Sequence, residues 1–232
     1  MPMPLFFDWT MILLIPAILL SLYAQARVQG AYAKYSRVRS AGGISGAMAA
    51  RELLRQAGIH DVEVEMVQGR LTDHYDPRVK KLRLSPEVYN STSIAALGIA
   101  AHETGHAIQH DVGYYPLALR NSLVPVANIG SSAAFPLIIL GLIMGLPQLA
   151  IWGVYAFTAV VLFQLITLPV EFNASSRAVA LLEGSGFITR SEVGPTRAVL
   201  NAAALTYVAA AVTAVLNLLR LLIISGVLRG DD

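Results

Sequence analysis

Four stretches of the chain are apolar for long enough to cross a hydrocarbon core, which takes about 20 residues of helix. They cover residues 9–26, 123–146, 149–170 and 203–228. The second and third are separated only by "LPQ", so they read as a hairpin. Between the first and second stretches the pattern changes character. "ISGAMAARELLRQAG", residues 44–58, is rich in helix formers, with Ser45 placed to cap it and Gly58 to end it. "VEVEMV", residues 62–67, alternates apolar and polar positions with period two, the mark of a half-buried strand. Residues 80–85, "KKLRLS", read as a second strand, after Gly69 and Asp76-Pro77, which are turn formers. A helical pattern resumes at Ser91 with Ile94, Leu97, Ile99 and Ile108 as its apolar points. Its apolar run, residues 94–101, is too short to span a membrane, so this helix is expected to be buried in the polar segment or to lie against the bilayer. The sequence thus predicts a helix, a small antiparallel sheet and a second helix, set between membrane spans.

Composition supports this division. Of 232 residues, 55% are hydrophobic and only 14% charged, well below the share usual in soluble domains. Cysteine is absent, which excludes disulfides and thiolate metal sites and leaves only His and carboxylates to hold a zinc ion. The net charge of +2, with no basic run interleaved with aromatics, gives no reason to expect nucleic acid.

The placement of the basic residues predicts orientation. Twelve Lys and Arg fall between Arg27 and Arg120, three between Glu171 and Ala202, and only Arg220 and Arg229 beyond. By the positive-inside rule both polar segments face the cytoplasm. Ala24-Gln25-Ala26 resembles a signal cleavage site, but Asp8 precedes the first span and Arg27, Lys34, Arg37 and Arg39 follow it, the charge order of an uncleaved anchor. The expected organisation is a transmembrane helix in residues 1–26, a cytoplasmic domain in 27–115, a transmembrane hairpin in 116–170, a cytoplasmic segment in 171–202, and a fourth span with its short tail in 203–232. Both termini are then outside.

The chemistry sits in "AAHETGHAIQH". His102 and His106, four apart on a helix, share a face and can direct imidazole nitrogens at one ion, while Glu103, about 100° round, sits beside it. There Glu103 can take a proton from a water acidified by the metal and return it to a leaving amine. Zinc requires another protein ligand. His110 extends the same face but is about 12 Å from His102 along the axis, too far for one tetrahedral ion. A His six residues past His106 would continue the pattern in one way, but Val112 stands there; no Asp-Gly dipeptide exists to continue it in another. Glu171 stands out, because a carboxylate directly after an apolar span is costly without a partner, and the predicted topology puts it on the side of His102. Glu183, before "GSG", and Glu192, in an expected turn, read as solvated.

These residues, with the blocks "LTDHYDPRVKKLRLSPEVY", "YYPLALRNSLVPVANIGS" and "LPVEFNASSRA", make the chain resemble the YugP-like neutral zinc metallopeptidase family over nearly its whole length. The resemblance implies a multi-pass zinc peptidase with one Zn²⁺ per chain, His102, His106 and Glu171 as ligands and Glu103 as catalytic base. The fold it implies is a mainly α integral membrane protein, four transmembrane helices carrying a small α+β zincin-like cytoplasmic domain. Gluzincin membrane proteases have an Asp four residues after the third ligand; here Ser175 stands there, so Asn173, Ser175 or a group elsewhere must orient the ligands. In zincin folds a strand edge beside the active helix holds the substrate, a role open to "HYDP" or "KLRLS", with His74 or Tyr75 stabilising the oxyanion, although turn structure is the expected role for both. Arg177 could pair with a carboxylate or polarise a carbonyl, but a solvated or interfacial position is the more common one for Arg. Protein or peptide substrates and the lipid bilayer are the expected partners. A non-catalytic, metal-stabilised membrane scaffold is the other reading, and Glu103 argues against it, since a structural zinc needs no base.

Overall fold

The computed structural model describes residues 9–226. A 3-10 turn at Trp9–Leu14 leads into α1, Ile15–Tyr35. Then follow α2 (Gly46–Gln56), β1 (Glu63–Met66), β2 (His74–Asp76), β3 (Lys81–Leu84), α3 (Pro86–Tyr89) and α4 (Ile94–Asp111). Three long helices complete the order: α5 (Tyr115–Met144), α6 (Pro147–Gly184) and α7 (Arg190–Ile224). The protein is mainly helical, with, among the described residues, four helices long and apolar enough to cross a membrane and one small sheet. The predicted "RGDD" tail and the first eight residues lie outside the described part.

The described residues form two compact units, one from residues 9–23, 119–168 and 206–226, the other from Ala24–Ala118 and Pro169–Leu205. In the first, Ala134 and Ile138 of α5, Val154, Phe157 and Val161 of α6, and Ala214 and Leu221 of α7 pack together. The outward positions remain large and apolar: Ile129 is 68% exposed and Ile143 66%. In water this surface would be unfavourable by about 25 cal/mol per Å², and lipid removes that penalty.

The second unit is built around α4. Ser45 and Ser93 cap α2 and α4, their Oγ atoms accepting from the backbone N–H of Met48 (3.3 Å) and Ala96 (3.2 Å). Gly58 takes φ +76° just past the end of α2, a left-handed stop that other residues adopt only with strain. Ala47, Ala50 and Leu54 of α2 pack with Val64, Leu82, Leu84 and Val88 against Ala96, Ala100 and Ala107 of α4. On another side, Leu97 and Ala101 of α4 join Ala178, Val179 and Leu182 of α6 and Leu200 of α7. That second cluster seats the polar extension of α6 against α4.

Four features differ from the sequence reading. The sheet is mixed rather than antiparallel: its order is β1-β3-β2, β1 running parallel to β3 and β2 antiparallel to it. β2 occupies a stretch read as turn, because three residues ending at Asp76-Pro77 are too few to show alternation. The helices run past the apolar spans; α6 continues from Val170 to Gly184 with Ala174, Ala178 and Leu182 buried at four-residue spacing. Glu192 is not in a solvated turn but in the first turn of α7, where its carboxylate accepts from Thr189 N–H (2.7 Å) and Ala41 N–H (2.8 Å). Thr189 and Glu192 thus form half of a capping box.

Candidate metal centre

His102 and His106 lie one turn apart on α4 with their rings edge to face, centroids 4.7 Å apart. Glu171 comes from α6, 69 residues after His102, and is only 2% exposed. Its Oε2 stands 3.2 Å from His102 Nε2 and 3.6 Å from His106 Nε2. One ligand atom from each residue can be chosen so that all three lie within 4.8 Å of one another. A tetrahedral zinc ion with bonds near 2.0–2.1 Å sets its ligand atoms about 3.3 Å apart, so the donor set and its spacing fit zinc.

Gly105 makes this approach possible. It lies between the two histidines in sequence, and a Cβ there would come within 2.9 Å of the Ala174 carbonyl oxygen and 3.2 Å of the Ala174 Cα. The backbones of α4 and α6 are therefore in contact one turn beyond Glu171, closer than any side chain allows.

Each imidazole is held from behind. Ser175 Oγ is 3.2 Å from His102 Nδ1, so the residue in the position four after Glu171 does reach a histidine. His106 Nδ1 is 3.0 Å from Gln109 Oε1. Gln109 is fully buried, and its Nε2 donates to the Val170 carbonyl (2.9 Å) and to Asn173 Oδ1 (3.0 Å). Asn173 Oδ1 also accepts from Arg177 Nε at 2.7 Å. This chain fixes which end of the Gln109 amide faces His106: the oxygen accepts, so the proton sits on Nδ1 and the Nε2 lone pair is directed at the centre. Sequence reading named Asn173, Ser175 and Arg177 but missed Gln109. The signal available was a polar side chain three residues past His106 on a helix otherwise buried in apolar contacts.

Burial alone would push the His106 imidazole below its ordinary range, but the carboxylates of Glu171 and Glu103 and the Gln109 carbonyl outweigh it and hold it above. The centre therefore presents negative potential to a cation. Glu103 is 9% exposed and makes no hydrogen bond among the described residues. His110 is exposed and bonded to Tyr75, its Nδ1 2.9 Å from the phenolic oxygen. His74 Nδ1 is 2.7 Å from the Thr72 carbonyl, and His74 is exposed.

The family whose model matches residues 10–226 is described as "Putative neutral zinc metallopeptidase". The chain belongs to this zinc metallopeptidase family. A curated relative, "Putative membrane protease YugP" of Bacillus subtilis (strain 168), is 48% identical over 212 residues, covering 91% of this chain and 94% of that protein. No solved structure matches the chain. Membership in a zinc peptidase family agrees with a cluster of two partly buried histidines and one buried carboxylate, and the relative's description as a membrane protease agrees with the four helices among the described residues that are able to cross a bilayer.

Proposed function

We propose that this chain is a membrane-embedded zinc endopeptidase that hydrolyses peptide bonds of protein or peptide substrates, membrane proteins included, with its active face on the cytoplasmic side. The observation that carries this reading is the convergence of His102 Nε2, His106 Nε2 and the buried Glu171 carboxylate on one point, with Glu103 alongside. These three residues would hold a single Zn²⁺. Three protein ligands leave a fourth position open, as catalytic rather than structural sites do.

Zinc, when bound, supplies Lewis acidity towards water and the scissile carbonyl. The protein's own groups do the rest. Glu103, uncommitted to hydrogen bonds among the described residues, takes the proton of the attacking water and delivers it to the leaving nitrogen. Gln109 and Ser175 keep the imidazoles turned so that Nε2 remains the ligating atom. Of the sheet's two edges, β1 is touched by Arg51, whose Nη2 donates to the Val64 carbonyl at 3.1 Å. β2 lies at the opposite edge and packs on α4, which suits it to align an extended substrate. Sidedness rests on the basic residues, twelve of them between Arg27 and Arg120.

The test compares zinc content and cleavage of an unfolded membrane protein for wild type, Glu103→Gln and Glu171→Ala. Glu103→Gln is expected to keep zinc and lose cleavage by about 10²–10⁴-fold, and Glu171→Ala to lose zinc. Full cleavage by Glu103→Gln refutes the catalytic assignment, and unchanged zinc affinity in Glu171→Ala refutes the ligand. Reporter fusions at the two termini test orientation; a cytoplasmic terminus contradicts the proposed arrangement.

A further inference from the structure

A cavity of about 220 Å³ opens beside the last turn of α4, outside the metal cluster. Its apolar lining comes from Ile59, Val62 and Ala107; its polar lining includes Tyr75, His110 and Asp111. Helical geometry relates it to the metal cluster. At 100° per residue, and taking His106 as zero, His102 lies at −40°, His110 at +40°, Glu103 at +60°, Ala107 at about +100° and Asp111 at about +140°. Gly105 and Gln109, which touch α6, lie on the other side, at about −100° and −60°. The histidine pair thus has α6 on one flank, and the base and the cavity on the other. His110 is about 6 Å from His106 along the axis, the reach of one or two residues of extended chain. Tyr75, in the middle of β2, joins His110 at the cavity wall.

The charges of this cavity are unequal. Asp61 and Lys80, both on its wall, form an ion pair and neutralise one another. Asp111 has no ion pair or hydrogen bond among the described residues, so of the three charges on this wall one negative charge is left over, in a recess lined by both apolar and polar side chains. Its field reaches across: the Lys80 ammonium is held above its ordinary range by Asp61 first and by Asp111 in addition. Buried Ile59 and Ala107 beside the exposed Asp111 carboxylate suit a side chain with a methylene stem and a cationic end.

We propose that this cavity is a substrate side-chain subsite that selects Lys or Arg one or two residues from the bond that is cut, with Asp111 as the residue that sets the preference. The inference rests on the peptidase reading above. The full-length protein, in nanodiscs with zinc, is given labelled heptapeptides that differ only in carrying Lys, Gln or Glu at one position, scanned along the peptide. At one position wild type cleaves the Lys peptide about threefold faster than the Gln peptide, as one partly exposed ion pair allows, and the Glu peptide more slowly still. Asp111→Asn removes the ranking, Asp111→Lys reverses it, and Lys80→Met, which unmasks Asp61, strengthens it. Zinc content unchanged in all three variants shows that they fold.

The same peptides are then bound to the Glu103→Gln protein, with and without Asp111→Lys, by fluorescence anisotropy. If wild type cleaves but neither cleavage nor binding follows the charge at position 111, the subsite proposal is overturned and the peptidase reading stands. If no peptide is cleaved yet binding ranks Lys over Gln over Glu and inverts with Asp111→Lys, the subsite stands and the peptidase reading fails.

Discussion

Gly105→Ala is the most direct probe of how the metal centre is assembled. The added Cβ would lie 2.9 Å from the Ala174 carbonyl oxygen and 3.2 Å from its Cα, both backbone atoms that no rotamer change can move. Restoring ordinary contact requires α6 to retreat by about 0.5 Å, and such overpacking costs about 1–3 kcal/mol. Ala174 is three residues past Glu171, almost one turn along the same helix, so the retreat carries the carboxylate with it. Zinc sites tolerate only about 0.2 Å in ligand distance. The strain therefore falls on the metal-bound state, and zinc affinity is expected to drop by about 5- to 150-fold. Competition with a chromophoric chelator measures this. Gly98→Ala is the matched control, seven residues earlier on the same face of α4. Its Cβ would meet only Thr196 Cγ2, at 3.4 Å, so the gain in helix propensity of about 0.5–1 kcal/mol should appear as a higher melting temperature with zinc affinity unchanged. If Gly105→Ala binds zinc as tightly as wild type and melts no lower, the close approach of the two helices is not what places Glu171.

Two further substitutions test the supports of the fold and the centre. Gln109→Ala removes the acceptor behind His106 and frees its ring to turn, so zinc affinity should fall about 10- to 100-fold; a change under twofold would show that the amide does not orient the ligand. Asp73 is a carboxylate whose burial raises its pKa above the ordinary value, although the Ser85 N–H and hydroxyl oppose the rise. A folded pKa above the unfolded one means that its contribution to stability is fully present below about pH 4 and is lost as pH rises through the folded value. Asp73→Asn should therefore gain stability relative to wild type between pH 4 and the folded pKa, read as the difference in melting temperature; a difference that stays flat with pH refutes the burial argument.

What the sequence disclosed follows from the range of each interaction. The strands β1 and β3 were legible because four residues of alternation suffice to mark one buried face: Val64, Leu82 and Leu84 point inward while Glu65, Lys81 and Arg83 join in ion pairs on the other. Their parallel pairing was not legible, since it depends on β3 lying between β1 and the three-residue β2. The histidine pair was visible as a local spacing on one helix. Glu171 could be singled out only indirectly, through the cost of a carboxylate at the end of an apolar run and the side of the membrane the basic residues assign it. Gln109 was hidden because its role is set by the Val170 carbonyl and Asn173, both on another helix. The Thr189–Glu192 cap was present in the sequence as a three-residue spacing, but its second partner, the Ala41 N–H, lies far off in the chain.

The same distinction explains why the centre should behave as a unit. Burying a carboxylate to 2% exposure costs several kcal/mol unless charge and hydrogen bonds compensate, and among the described residues the His102 and His106 imidazoles supply that compensation for Glu171. A cation between them would turn that cost into attraction, so metal binding would reinforce the apolar contacts that seat α6 on α4. Gly105 sets how close the helices come, Gln109 ties His106 to the α6 backbone, and Glu171 closes the cluster; each acts through the same helix contact. Once Gly105→Ala has displaced α6, the carbonyl that Gln109 grips has moved as well, and less remains for Gln109→Ala to remove. Zinc affinity in the double variant should therefore fall by less than the product of the single losses, and a strictly multiplicative loss would mean that the two residues support the ligands independently.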